Sequence, residues 1–207
     1  MTHEEIDLNS PDKRKTYWIV LILNALLAAG FLSSGVIADS NALLANGLDN
    51  TSDAAVYALS LLALTRSRAW KRGAAKVSGT MLLFFAGLVV IDAARRFLSG
   101  SDPIGWTMIA MAIIAAAINL LSLYLLKRLY HKDVNLRAAI TFSFNDFVAN
   151  GGIIIAGVLI YLTGNNWPDL VVGAAVAGIA AYGGIEILKD AHMDKHEEEG
   201  TTHMRGD

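Results

Sequence analysis

Hydrophobic positions fall into six long blocks, at 16–38, 41–64, 77–98, 104–126, 136–162 and 170–188, each set off from the next by a polar interruption. A block of about 20 apolar residues coiled as a helix matches the roughly 30 Å hydrocarbon core of a bilayer. Helices satisfy their own backbone polar groups there. The pattern predicts an all-α, polytopic membrane protein with six transmembrane helices. The interruptions alternate in kind. Lys13-Arg14-Lys15, the stretch from Arg66 to Arg72 with Lys76, and Lys127-Arg128 with Lys132 and Arg137 are basic; the turns at Asp39-Ser40, Gly100 to Pro103 and Gly164 to Asp169 hold no Lys or Arg. The positive-inside bias puts the basic set, and therefore both termini, in the cytoplasm. The domain reading is a cytoplasmic segment at 1–15, a transmembrane domain at 16–189 and a short polar cytoplasmic tail at 190–207. Arg95-Arg96, at the outer end of the third helix, runs against the rule; both can snorkel to headgroups, and Asp92 is near enough to pair with them.

Composition agrees with a membrane chain. Hydrophobic residues make up 54% of the 207 positions and charged residues 17%, with a mean hydropathy of +0.44. The formal charge of -2 gives no basic footprint for nucleic acid. The absence of Cys excludes disulfides, thiolate ligands and cysteine nucleophiles. Residues 1–15 lack the apolar core of a secretory signal, so the first helix serves as the insertion signal. An integral, multi-pass protein of a bacterial inner (plasma) membrane is expected.

The chemistry concentrates in the second block. Asp49 and Asp53 stand four residues apart inside it, one helical turn, with Asn46 and Asn50 on or beside the same face. An ionised group at the bilayer centre costs roughly 3 kcal/mol on insertion scales, so each needs something to interact with, and a divalent cation or a proton is the natural candidate. Helix-packing polar residues or a local salt bridge is the alternative. Asp146 and Asn150 repeat the i, i+4 arrangement in the fifth block. If the second and fifth helices pack antiparallel, the two pairs meet near mid-depth, and three carboxylates there repel unless a metal or protons separate them.

The sequence resembles the cation diffusion facilitator family of metal/proton antiporters. The likeness rests on Asn41-Ala-Leu-Leu-Ala-Asn-Gly-Leu-Asp49-Asn-Thr-Ser-Asp53, on Ile118-Asn119-Leu-Leu-Ser-Leu-Tyr-Leu-Leu, and on Asn135-Leu-Arg137-Ala-Ala followed by Asp146. It implies a homodimeric secondary transporter, its helix contacts centred on the third helix near residues 78–88. Its substrate would be a divalent transition metal exported in exchange for protons. Zinc is the first choice, with cadmium, iron(II), manganese and cobalt also admitted, and the metal is cargo, so no cofactor is implied. The resemblance implies Asp49, Asp53 and Asp146 as metal ligands. Where the family usually has His or Asp four residues before the fifth-helix Asp, this chain has Phe142. Asn150 is the expected substitute as fourth ligand, with Asn145 or water as competitors. The family's ferredoxin-like cytoplasmic domain is not expected in a chain ending at Asp207.

None of the five histidines lies in a predicted span. His192 and His196, among acidic residues, read as part of a solvated, partly disordered tail rather than a metal site. The loop from Arg66 to Lys76 reads as a contact for anionic lipid. Asn24 and Asn119 read as interhelical hydrogen-bonding amides or as support for the site. The small residues Gly173, Ala177, Ala181 and Gly184 read as a packing face. Two other function classes compete with transport. A membrane-embedded metal-dependent phosphotransferase also uses Asp-x-x-x-Asp, but its upstream Asp-Gly-x-x-Ala-Arg stretch is absent here; a non-transporting metal sensor is the third reading.

Overall fold

The computed structural model describes residues 11–63, 68–128 and 134–203, with the side chains at 11–13, 60, 63, 68–69, 71, 128, 134–145 and 193–203 outside the described set. Among the described residues there are six helices and no strand: α1 Pro11–Ile37, α2 Asn41–Ala63, α3 Arg68–Ser99, α4 Gly105–Arg128, α5 Val134–Thr163 and α6 Trp167–His203. α3 begins at Arg68, well before the apolar block at 77, because the basic stretch is rich in helix formers. α6 likewise continues to His203. The tail read as solvated chain is therefore helical over 190–203, since Lys, Glu, Met and Ala there all favour the helix. α5 runs unbroken through Gly151-Gly152. Gly100 and Gly164, with φ of 82° and 67°, end α3 and α5 in the left-handed conformation that glycine adopts at little cost.

Among the described residues, five helices are long and apolar enough to cross a membrane: α1, α3, α4, α5 and α6. α2 does not meet that measure, because Asn41, Asn46, Asp49, Asn50 and Asp53 dilute its hydropathy. Its 23 residues still measure about 34 Å. Packing explains the polarity. α2 touches α1, α3, α6 and, more lightly, α5, and two apolar cores meet on it. One joins α2 to α1, α4 and α5 through Phe31, Leu43, Met108 and Ile153; the other joins it to α3 and α6 through Ala45, Ala86, Val89 and Val176. The outside is apolar instead: Phe84 is 61% exposed, Ile91 66% and Ile155 63%, while Asn46, Asn50 and Asn150 are fully buried. That inversion is the arrangement of a protein whose solvent is lipid.

Small residues set the close helix pairs. A Cβ added at Gly79 in α3 would lie 2.9 Å from the Gly184 carbonyl of α6, and one at Gly184 would lie 2.9 Å from the Gly79 carbonyl. Gly173 similarly abuts Asn41 and Ala42 of α2, and Ala177 is buried in the α2, α3, α6 core. The packing face expected on α6 is thus in use.

A polar cluster at the end of the bundle holding the short turns fixes where α2 begins. Asp39 has φ of 48°, turning the chain out of α1, and the Ser40 hydroxyl accepts the Leu43 N–H at 3.1 Å, a regular N-cap. The cap is doubled from α6. Asp169, fully buried, accepts hydrogen bonds from Ser40 Oγ at 2.6 Å, Asn41 N at 2.7 Å and Ala42 N at 3.0 Å. Its negative charge meets the positive end of the α2 dipole. Asn41 Nδ2 donates to Val89 O at 3.2 Å and to Asp92 Oδ2 at 3.0 Å. Arg96 pairs with Asp92 at 2.5 Å, donates to the Asp39 carbonyl at 2.7 Å and also pairs with the Asp39 carboxylate.

These contacts correct the reading of Arg95-Arg96. Arg95 is exposed and pairs with Asp92 at 2.8 Å, whereas Arg96 is buried between two carboxylates rather than reaching for headgroups. A cation is tolerated at that depth because the α1–α2 turn and α3 bring acids to it. Burial would raise the Asp39 carboxyl, but the Asp102 N–H and Arg96 outweigh it and hold it below the usual carboxylate range.

Candidate metal centre

A turn and a half beyond its capped start, α2 presents Asn46, then Asp49, Asn50 and Asp53 at helical spacing. Two contacts join this stretch to α5. Asn46 Nδ2 donates to Asn150 Oδ1 at 3.0 Å, and the Asp53 and Asp146 carboxyls face each other across the same contact. Moving along α2 from 46 to 53 moves back along α5 from 150 to 146, so the two helices run antiparallel where they touch, as the sequence pattern required for the pairs to meet. Two carboxyls facing each other in an apolar bundle make a place where a proton or a cation can be held.

Asp49 sits apart from this pair. It lines a crevice between α2, α3 and α6, with Ser52, Phe85, Val89 and Ala177, while remaining within electrostatic reach of both Asp53 and Asp146. Four residues advance a helix by a full turn plus about 40°, enough for Asp49 to face α3 and α6 while Asp53 faces α5. Among the described residues no three His, Asp or Glu side chains gather closely enough to hold a metal. In this conformation the expected three-carboxylate set is a pair and a single group.

Asn150 is fully buried beside the pair. Its Nδ2 donates to the Asp146 carbonyl at 2.8 Å, and its Oδ1, with two lone pairs, spends one on Asn46. Asn46 Oδ1 and Asn50 Oδ1 are buried without a hydrogen-bond partner. Buried amide oxygens left so cost on the order of 1–3 kcal/mol each, which marks them as donors waiting for a ligand. Every nearby donor is oxygen, a set suited to hard and borderline divalent ions. Phe142 and Asn145 fall outside the described side chains, as do His196 and most of the basic loop after α2. Sequence reasoning placed Asn46 beside the site but missed its bond to Asn150; the i, i+4 repeat of Asn46-Asn50 was the available signal.

Comparison with known proteins bears on what the centre handles. Residues 17–193 match the cation efflux transmembrane domain. Over 182 residues the chain is 30% identical to the zinc transporter ZitB of Escherichia coli, covering 80% of this chain and 58% of that protein. The manganese efflux system protein MneP of Bacillus subtilis is 28% identical over 82% of this chain and 62% of its own length. A cadmium, cobalt and zinc/H(+)-K(+) antiporter of Bacillus velezensis is 24% identical over 83% of this chain and 61% of its own. The chain thus spans about three-fifths of the length of these curated relatives.

Proposed function

The chain belongs to the cation efflux family of integral membrane transporters, and from that premise we propose that it is a secondary transporter exporting a divalent transition-metal cation from the cytoplasm in exchange for protons. It works as a multi-pass protein of a bacterial plasma membrane, with α2 as the sixth span, both termini cytoplasmic and a homodimer as the assembly. Zinc is the first substrate to test, followed by manganese, cadmium, cobalt and iron(II), the range that the relatives' names cover in part.

The observation that carries this reading is the facing Asp53–Asp146 pair where α2 meets α5 inside an otherwise apolar bundle. A cation arriving from the cytoplasm displaces a proton held there and takes both carboxylates, with Asn150 Oδ1 as the neutral oxygen and Asp49 closing from the α3 and α6 side. Facing outward, a higher proton concentration competes for the same oxygens and releases the ion.

Reconstituted protein in liposomes with an imposed pH gradient tests the proposal. Zinc flux should follow the gradient, and Asn150→Ala should weaken every metal. Replacing Phe142 by His should raise zinc and cadmium over manganese by adding a nitrogen ligand. Metal binding without gradient-driven flux would instead favour a sensor.

A further inference from the structure

The interior shared by α1, α2, α4 and α5 changes character along its length. Towards the short turns it is apolar, with Phe31, Leu43, Met108, Ala112 and Ile153 all fully buried. Following the same buried stripes inward, α1 passes from Leu27 to Asn24, α4 from Ala115 to Asn119 and Ser122, and α5 from Ile153 to Asn150 and Asp146. Contacts between antiparallel helices fix the levels. Gly30 lies against Met111, Gly157 against Gly105 and Ile109, and the ring of Tyr17 against Tyr57. Counting equal steps from these points, and from Gly35 against Leu44 and Gly47 against Leu32, puts Asn24 opposite residues 50–55 of α2, Asn119 level with Asp146, and Asn24 within a turn of Asn119. One turn further the interior closes again over buried Val20 and Leu126. A polar layer therefore lies between two apolar ones, at the depth of the carboxyl pair.

The layer is hungry for partners. Asn24 Oδ1, Asn50 Oδ1, Asn119 Nδ2 and Ser122 Oγ are buried without a hydrogen bond, in residues at most 4% exposed. Two are acceptors, one is a donor and the hydroxyl is both. A bare cation would satisfy the oxygens and be repelled by the amide N–H. Water satisfies all four, since it donates and accepts, and a polar site with several partners is where buried water is held.

We propose that Asn24 and Asn119, with Ser122, hold water molecules that complete the coordination shell of the cation bound at Asp53 and Asp146, so that the ion is carried partly hydrated. The inference rests on the carboxylate reading above. It also assigns a selectivity role to α1 and α4, which contribute no carboxylate. Zinc is content with four ligands, whereas ions that prefer octahedral oxygen shells need the water. The layer therefore favours manganese relative to an unhydrated site.

The test uses the full chain in lipid nanodiscs with manganese(II) as the probe. Exchangeable waters on the bound ion are counted by electron spin echo modulation in D2O, alongside the manganese-to-zinc affinity ratio. Asn24→Leu and Asn119→Leu should each remove coordinated water and lower manganese affinity relative to zinc by about tenfold or more, the size typical of outer-sphere ligand support. Asn119→Ser should restore both. Where a leucine variant does not assemble, Ser122→Ala removes one hydroxyl from the same layer and carries the same expectation. An unchanged water count and ratio in these variants, with binding still abolished by Asp53→Asn, overturns the inference alone. Manganese binding that survives Asp53→Asn overturns the carboxylate reading, and the hydration role with it.

Discussion

Two polar regions sit in this apolar bundle, and they treat their polar groups in opposite ways. At the short-turn end, Asp39, Asp92 and Arg96 are paired with one another, and Asp169 is hydrogen-bonded to three groups at the start of α2. In the middle, two carboxyls face each other without a cationic partner among the described residues, a third stands off, and the amide oxygens of Asn24, Asn46 and Asn50 have no partner. The first region spends its charged groups on holding helices together, and among the described residues only one buried amide oxygen there, Asn41 Oδ1, is left without a partner. The second keeps its carboxyls without a cationic partner, and a protein retains such costly groups in lipid only where they act on something else. Burial of charge alone therefore does not mark a site; carboxyls left without a cationic partner do.

The sharpest break of this comparison is in the middle region. Asp53→Asn and Asp146→Asn should each abolish metal flux in proteoliposomes while leaving expression and thermal stability intact or slightly raised, because an amide relieves the confrontation of two carboxyls. Loss of stability with retained flux would make the pair a structural lock like the other. At the short-turn end the expected signs reverse. Arg96→Ala leaves Asp39 without its cation and Asp92 with Arg95 alone; because Asp39 is half exposed, the cost should be about 1–2 kcal/mol, read as a lower melting temperature in detergent, while flux measured well below that temperature should persist.

Smaller effects separate the members of the paired cluster. Asp169→Asn keeps an acceptor for the α2 N-terminus but loses its charge, and should cost about 1 kcal/mol, in the range of helix caps. The smallest effect concerns acid. Asp39 is held below the usual carboxylate range by the Asp102 N–H and Arg96, so its contribution is present at neutral pH and is lost only as pH falls through that lowered value, below about 4. Asp39→Asn should flatten this acid limb of a melting-temperature profile and change little at pH 7. A limb that persists unaltered would assign the acid sensitivity to another carboxylate.

Much of this was legible in the chain. Six apolar blocks became six helices, and the i, i+4 carboxylates on the second block pointed to α2 and α5 as the elements that carry the chemistry. What escaped the pattern was long-range or angular. Asp169 caps a helix that begins 128 residues earlier, and no local rule reports that. Arg95 and Arg96, adjacent in sequence, point apart, so one is exposed and the other buried. The turn-spaced Asp49 and Asp53 fall on either side of the boundary between two neighbouring helix pairs, because 3.6 does not divide four. Asn24 and Asn119 were visible as amides in apolar runs, but only the packing reveals that they share one level.

Because Asp169 belongs to α6, the seal on the start of α2 depends on the part of the transmembrane domain made last. During synthesis α2 leaves the ribosome early, poor in hydropathy, with its first-turn N–H groups capped only by Ser40. The contacts predict that its lasting place waits for residues 167–173 to emerge and dock, so that the domain closes like a hasp, late and from the far end, instead of hardening helix by helix. Nascent chains arrested at increasing lengths should show protease resistance around Asn41 only after Asp169 has cleared the exit tunnel; resistance arising before α6 is made would show that α1 and α3 suffice to hold α2.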